Sequence, residues 1–396
     1  AFVQAGSSAD NASLARGAKI LAVDGVDLVN DNTSAGIDTL NDGLFPSAAG
    51  ESHTFTVRDL GSASTRDVTL TAEVVAVDPV QTATVLDDGG DKVGYLHLTT
   101  FGVNASEEQL ITAMTDFAAA GIDDLVVDLR YNGGGFLDIS AELGYMIAGP
   151  DRIYGEFFDR LVFNDKHPTI NPVTGSTITP TPFHATAQGF SVADGTALPD
   201  LDFGRVFILS TSGTCSASEA VINALRGIDV EVVLIGTTTC GKPYGFYATD
   251  NCGTTYFTIQ FRGENAKGFG DYADGFSPEN LSGGLGVDVP GCGVSDDFEH
   301  ALGDPDEAML STALTYRKTG LCSSPVTSGT APMAANVARW DVEQPPLFVR
   351  DPERYGNIDP GSLYASPELR ERLRRRQIRD LTLNHPDADR YGRDGQ

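Results

Sequence analysis

The chain has 396 residues, 41% of them hydrophobic, with 27 Lys and Arg against 55 Asp and Glu, a formal net charge of −28. That length allows two or three domains, and the apolar content an ordinary globular core. So negative a balance excludes a nucleic-acid-binding protein, whose phosphate contacts need Lys and Arg, and no run of 18 or more apolar residues offers an integral membrane segment.

In chain order, residues 1–75 predict a small β-rich module. AKILAVDG (18–25) reads as a strand ending in an Asp-Gly turn. SHTFTVRD (52–59) and RDVTLTAEVV (66–75) alternate like half-buried strands, and SAGIDTLNDGLF (34–45) has helical spacing between them. From residue 93 the rhythm becomes β-α-β-α. VGYLHL (93–98) is a predicted strand, and SEEQLITAMTDFAAAG (106–121) a capped amphipathic helix closed by Gly121. DLVVDLR (124–130) is a continuous apolar strand of the buried parallel kind, and FLDISAELGYMIAG (136–149) a further helix. Residues 150–200, rich in Pro, Thr and Gly, predict an irregular insertion. RVFILS (205–210), a helix from Ala217 to Arg226, and EVVLIG (231–236) resume the alternation, and TTYFTIQF (254–261) adds a strand. Asp296-Asp297 predicts a helix start before FEHAL. Residues 323–340 form a low-complexity linker, and 341–396 an extension of unassigned role, with an Arg-rich, solvated helix over 368–379.

The chemistry concentrates in TSGTCSASEAVINALRGIDVEVVLIGTTTCGK (211–242). Ser216 stands in a small-residue turn before a helix, and one helix–strand excursion returns the chain to Lys242. A serine needs a base to become a nucleophile, and a neutral lysine can be that base. Neutrality requires desolvation, so Lys242 is expected to be buried. Two bland readings compete. Ser216-Ala-Ser-Glu219 matches a capping box, and a Gly-Lys turn after a strand is usually solvated. A third element, DLRYNGGG (128–135), ends a buried strand in glycines whose N–H groups can point into a cleft, as an oxyanion hole requires. His97 is a rival base, but it lies between Leu96 and Leu98 on a buried-strand pattern. The remaining histidines have no metal-ligand spacing, so neither a metal nor a cofactor is expected. Five cysteines allow two bridges and one free thiol. The expected pairs are Cys240–Cys252 and Cys292–Cys322 with Cys215 left over, the alternative being five reduced thiols.

Segment 5–28 resembles the second half of a PDZ domain, truncated before its peptide-carboxylate loop. GYLHLTTF (94–101), DLRYNGGG, CSASEAVINAL (215–225) and GTTTCGKPYG (236–245) together resemble the tail-specific, or carboxyl-terminal processing, serine protease family. The resemblance implies an α/β fold: an N-terminal PDZ-like domain at 1–75, then a crotonase-like (ClpP-like) protease core at 76–322. It also implies Ser216 as nucleophile and Lys242 as general base, with oxyanion donors at Ala217 and at Gly133 or Gly134. The implied substrate is an unfolded or C-terminal protein segment, and the implied location periplasmic or secreted, with a tether through a missing N-terminal segment. Two departures stand out. Phe246 occupies the place of a Gln that orients the lysine in the family, and Cys215 that of a small Ala or Ser. The alternative function is a non-catalytic protein on the same scaffold that binds peptides or hydrophobic ligands. A crotonase-type acyl-CoA enzyme is a third reading, disfavoured by the PDZ-like module.

Overall fold

Strand-forming runs alternate with helices along most of the described residues. The computed structural model describes residues 2–322, except 248, 252, 253, 257, 282 and 285, and divides them into two units, 2–78 with 294–322 and 79–293. Cys252, the linker 323–340 and the extension 341–396 lie outside the described residues.

The first unit opens with a short helix, α1 (Ser8–Asn11), capped by Ser7 Oγ, which accepts from Asp10 N. β1 (Lys19–Val23) and β2 (Val26–Asp27) turn back on each other at Asp24-Gly25, both at positive φ. α2 (Ser34–Leu44) starts at Thr33, whose hydroxyl accepts from Gly36 N. β3 (Ser52–Arg58) and β4 (Arg66–Thr71) complete an antiparallel sheet of order β2-β1-β3-β4. Val23, Leu40, Phe55, Val57 and Val68 form its small core.

The second unit is built on a six-stranded sheet. β5 (Val80–Asp88) and β6 (Asp91–Leu98) form an antiparallel hairpin; α3 (Ala105–Ala120), β7 (Asp124–Asp128) and α4 (Leu137–Arg152) follow. After an insertion whose one strand is β8 (Arg160–Val162), β9 (Arg205–Ser210), α5 (Ala217–Gly227) and β10 (Glu231–Gly236) complete the alternation. Next come β11 (Tyr244–Gly245), β12 (Thr249–Asn251), β13 (Thr254–Tyr256), β14 (Phe261–Glu264), β15 (Phe276–Pro278), β16 (Val287–Val289) and β17 (Gly291–Gly293). The main sheet has the order β17-β10-β9-β7-β6-β5 and is parallel from β6 to β17. Helices α3, α4 and α5 pack against the face that carries Leu96, Leu125, Val127, Val206, Ile208 and Leu234, and β7 is buried throughout. The C-terminal ends of β7 and β9 therefore open toward one edge of the sheet, where segments 129–136 and 211–216 emerge.

The chain then returns to the first unit with α6 (Ala308–Thr319). Two expectations are corrected. TTYFTIQF is not one strand of the main sheet: its start is β13, β14 begins at its last residue, and both pair in small separate sheets. Asp296-Asp297 opens no helix. Asp296 pairs with Arg16 at 2.6 Å, and the Asp297 carboxylate accepts from Glu299 N and bonds His300 Nδ1, which commits both acids to a turn.

Candidate active site

The glycine loop rests on a buried charged floor. Asp128 and Arg130 are fully buried and paired at 2.9 Å, and Tyr95 Oη donates to Asp128 at 2.6 Å. Burial pushes the Asp128 carboxyl up, but the neighbouring Arg130 and His97 and the hydrogen bonds hold it below the usual range. His97 is thus a fully buried neighbour of Asp128, set edge-on to Tyr131 at 6.2 Å. Beyond this floor the loop and the serine turn are stitched together. Thr214 Oγ1 donates to Leu129 O, Cys215 N to Asn132 O, and Ser218 Oγ to the same Asn132 carbonyl.

Ser216 is the N-cap of α5 and takes φ 57 and ψ −113, a region that a non-glycine residue enters only when its surroundings force it there. The loop lies directly on it. Gly134, at φ 103, approaches so closely that a Cβ on it would stand 2.7 Å from Ser216 Cβ and 2.9 Å from Ala217 N. The structure thus brings Ser216, Ala217 and Gly134 together. Their roles separate at the amides. Gly134 N donates to Asn132 Oδ1 at 2.9 Å, whereas the N–H groups of Gly133 and Ala217 make no hydrogen bond among the described residues.

The capping box is present, and its glutamate does far more than cap. Glu219 is fully buried, and its carboxylate accepts from four donors: Ser216 N at 3.1 Å, Thr239 Oγ1 at 2.6 Å, and Gly241 N and Lys242 N, each at 2.8 Å. Burial raises its pKa, and those same hydrogen bonds pull against the rise. One carboxylate therefore ties the serine turn to the lysine turn through the main chain. Segment 264–278 backs the lysine turn, since Phe276 N donates to Thr239 Oγ1 and the Ala273 carbonyl packs on Gly241.

Two expectations change here. Lys242 is exposed rather than buried, because the turn is held by its backbone and leaves the side chain outside; Nζ stands 5.9 Å from the centre of the Phe246 ring. Among the described residues no hydrogen bond joins Ser216 to Lys242. Cys240 pairs with Cys215, not with Cys252, at a Cα separation of 5.3 Å. Cys292 and Cys322 are both disulfide-bonded. Cys215, Cys240 and Glu219 offer atoms within 4.8 Å of one another, but sulfurs joined to each other have no thiolate to give a metal.

Sequence reasoning missed the Glu219 hub and the Cys215–Cys240 bond. The second had a signal: cysteines 25 residues apart flank the excursion that returns Ser216 toward Lys242.

Behind the loop, Phe136 stacks on Phe190 at 4.7 Å, and the segment carrying Phe190 is held by acids. Buried Glu107 accepts from the N–H groups of Gln188, Gly189, Ser191 and Val192. Buried Glu142 accepts from Gln188 N, and its Oε2 finds no donor. Burial, with Glu107 and Asp138 nearby, pushes its pKa up to about 9, so it carries a proton at neutral pH.

Comparison with known proteins bears on this arrangement. Residues 92–246 match the model of peptidase family S41. Over 244 residues, 60% of this chain, the sequence is 30% identical to a carboxyl-terminal-processing protease of Picosynechococcus sp., covering 49% of that protein. It is also 30% identical to the carboxyl-terminal-processing protease of Synechocystis sp., covering 48% of it. The chain thus spans about half the length of these curated relatives. A crystal structure assigned to the S41 proteases, from Bacteroides fragilis, superposes with a TM-score of 0.59 at 24% identity, covering 81% of this chain and 77% of that one; it shares the mixed α/β fold.

Proposed function

We propose that this chain, whose residues 92–246 match the model of peptidase family S41, is a serine endopeptidase acting on unfolded or C-terminal protein segments through Ser216 and Lys242. One observation carries the reading. A serine at positive φ caps a buried helix against a glycine loop, beside two uncommitted amides, Gly133 N–H and Ala217 N–H. The helix N-terminus favours negative charge there. In the reaction, neutral Lys242 takes the Ser216 proton, and Oγ attacks the substrate carbonyl. The oxyanion rests on Ala217 N–H and Gly133 N–H, while Gly134, committed to Asn132, shapes the loop. The leaving amine takes its proton from the lysine, and water then releases the acyl group with Lys242 again as base. Exposed Lys242 needs its water removed first, and an extended substrate laid across the turn would do so. Residues 1–75 read as a PDZ-like module that recruits or gates the substrate. The disulfides fit a periplasmic or secreted location.

The second reading, a binding protein on the same scaffold, draws on the exposed lysine and on Phe246 in place of an orienting Gln. A serine-directed fluorophosphonate separates the two. The peptidase predicts labelling of the wild type, none of Ser216→Ala, and a rate lower by about 100-fold or more in Lys242→Ala. Equal labelling of wild type and Lys242→Ala sinks the pair, and no labelling of the wild type leaves the binding protein.

A further inference from the structure

The serine and lysine turns are joined twice, once by the Glu219 carboxylate and once by a covalent bond. Cys215 immediately precedes Ser216, and Cys240 stands two residues before Lys242. The disulfide is therefore a strap across the two segments whose spacing decides whether Lys242 can reach Ser216. We propose that Cys215 and Cys240 are positioning residues for the Ser216–Lys242 pair, and that opening their disulfide with a dithiol slackens the pair and lowers turnover. This rests on the peptidase reading above.

The surroundings favour opening in one direction. Cys240 is exposed, whereas Cys215 is only partly so and sits just before the N-terminus of α5. An incoming thiolate attacks Cys240 Sγ, forms a mixed disulfide there and expels Cys215 as thiolate, which the positive end of α5 stabilises. Attack in the other direction would expel the Cys240 thiolate 3.4 Å from the Glu219 carboxylate, a like-charge contact. The second thiol of the reductant then attacks the mixed disulfide. It releases the Cys240 thiol and leaves as a cyclic disulfide; two electrons pass to the protein, and both cysteines end protonated. Glu219 still holds the backbones of the two turns, so the fold persists while the side-chain alignment loosens. Loss of alignment reaches the chemical step before it reaches substrate binding, because small displacements of reacting groups weigh most on the rate.

The test uses the full 396-residue chain, oxidised or treated with dithiothreitol, with bond opening verified by alkylation and peptide mass mapping. Fluorophosphonate labelling of Ser216 and turnover of unfolded casein are measured in each state. Reduction is expected to lower kcat and the labelling rate about tenfold, leave KM within about twofold, and be reversed on reoxidation. The Cys215→Ala/Cys240→Ala double variant is expected to start at the low rate and ignore dithiol, with its remaining disulfides intact. If that variant does not fold, the reduction and reoxidation cycle of the wild type decides alone. Equal labelling of oxidised and verified reduced protein overturns the proposal by itself, as does a change in KM without kcat. No labelling in the oxidised protein overturns the peptidase reading, and this one with it.

Discussion

The two turns that face each other across Glu219 are built in opposite ways. On the serine side nearly every group is placed. Ser216 is forced to positive φ, Gly134 is packed against its Cβ, and hydrogen bonds run from 214, 215 and 218 to the loop beneath. On the lysine side the Thr239 and Cys240 side chains are tied down, but Lys242 is held by its main chain only. Gly241 N and Lys242 N reach Glu219, and the ammonium stands outside beside the Phe246 ring. On the peptidase reading, the serine and its amides are pre-organised, while the lysine is delivered to the right turn and left to be seated by whatever covers it.

The sharpest way to break this contrast is Gly134→Ala. The added Cβ collides with the Cys215 carbonyl, Ser216 Cβ and Ala217 N at a φ that alanine resists, so the serine side has no room to adjust. A loss of kcat on the order of 100-fold is expected, measured on unfolded casein; activity near wild type would mean that the serine side is not rigid. Glu219→Gln comes next. An amide replaces an acceptor that serves four donors, leaves N–H groups facing an NH₂, and costs about 1–3 kcal/mol. A drop in melting temperature with about a tenfold loss in kcat is expected, and a drop in stability alone would show that the link between the turns is dispensable for turnover. The smallest effect tests the backing of the loop. Glu142 holds a proton up to about pH 9 in the fold, against 4.5 unfolded, so its contribution to stability is full below pH 4.5 and drains away as pH rises through 9. Glu142→Gln keeps a donor for Glu107 and removes the titration. Its melting temperature should therefore gain on the wild type by a few degrees from pH 5 to pH 9 and then level off, with activity little changed.

Much of this was readable in the sequence where a local rule decides. The strands at 205–210 and 231–236 and the helix from Ala217 follow from apolar runs and caps and lie where expected. DLRYNGGG pointed to a strand ending in a loop of special backbone, and Gly134 at φ 103 meets it. What was not readable depends on partners distant in sequence. The Glu219 that closes a capping box looks complete with its own helix, and nothing local announces donors from 239, 241 and 242. Lys242 was expected to be buried from what a lysine base needs, but a residue anchored by its own backbone alone says nothing about where its four-carbon side chain goes. Of the two expected cysteine pairs, Cys240–Cys252 failed, because Cys240 is bonded to Cys215. The excursion argument applied to Ser216 and Lys242 would have joined Cys215 and Cys240 equally well.

The backbone at Ser216 has one further consequence. A side chain held at φ 57 and ψ −113 costs roughly 1–3 kcal/mol that glycine would not incur. The fold would be tighter with glycine there, so drift toward greater stability at this position runs against the serine that the peptidase reading requires. On that reading a requirement for turnover opposes the slope. A related chain that has lost this demand would be expected to show the loss first here, as a relaxed turn with glycine at 216 and the surrounding network intact.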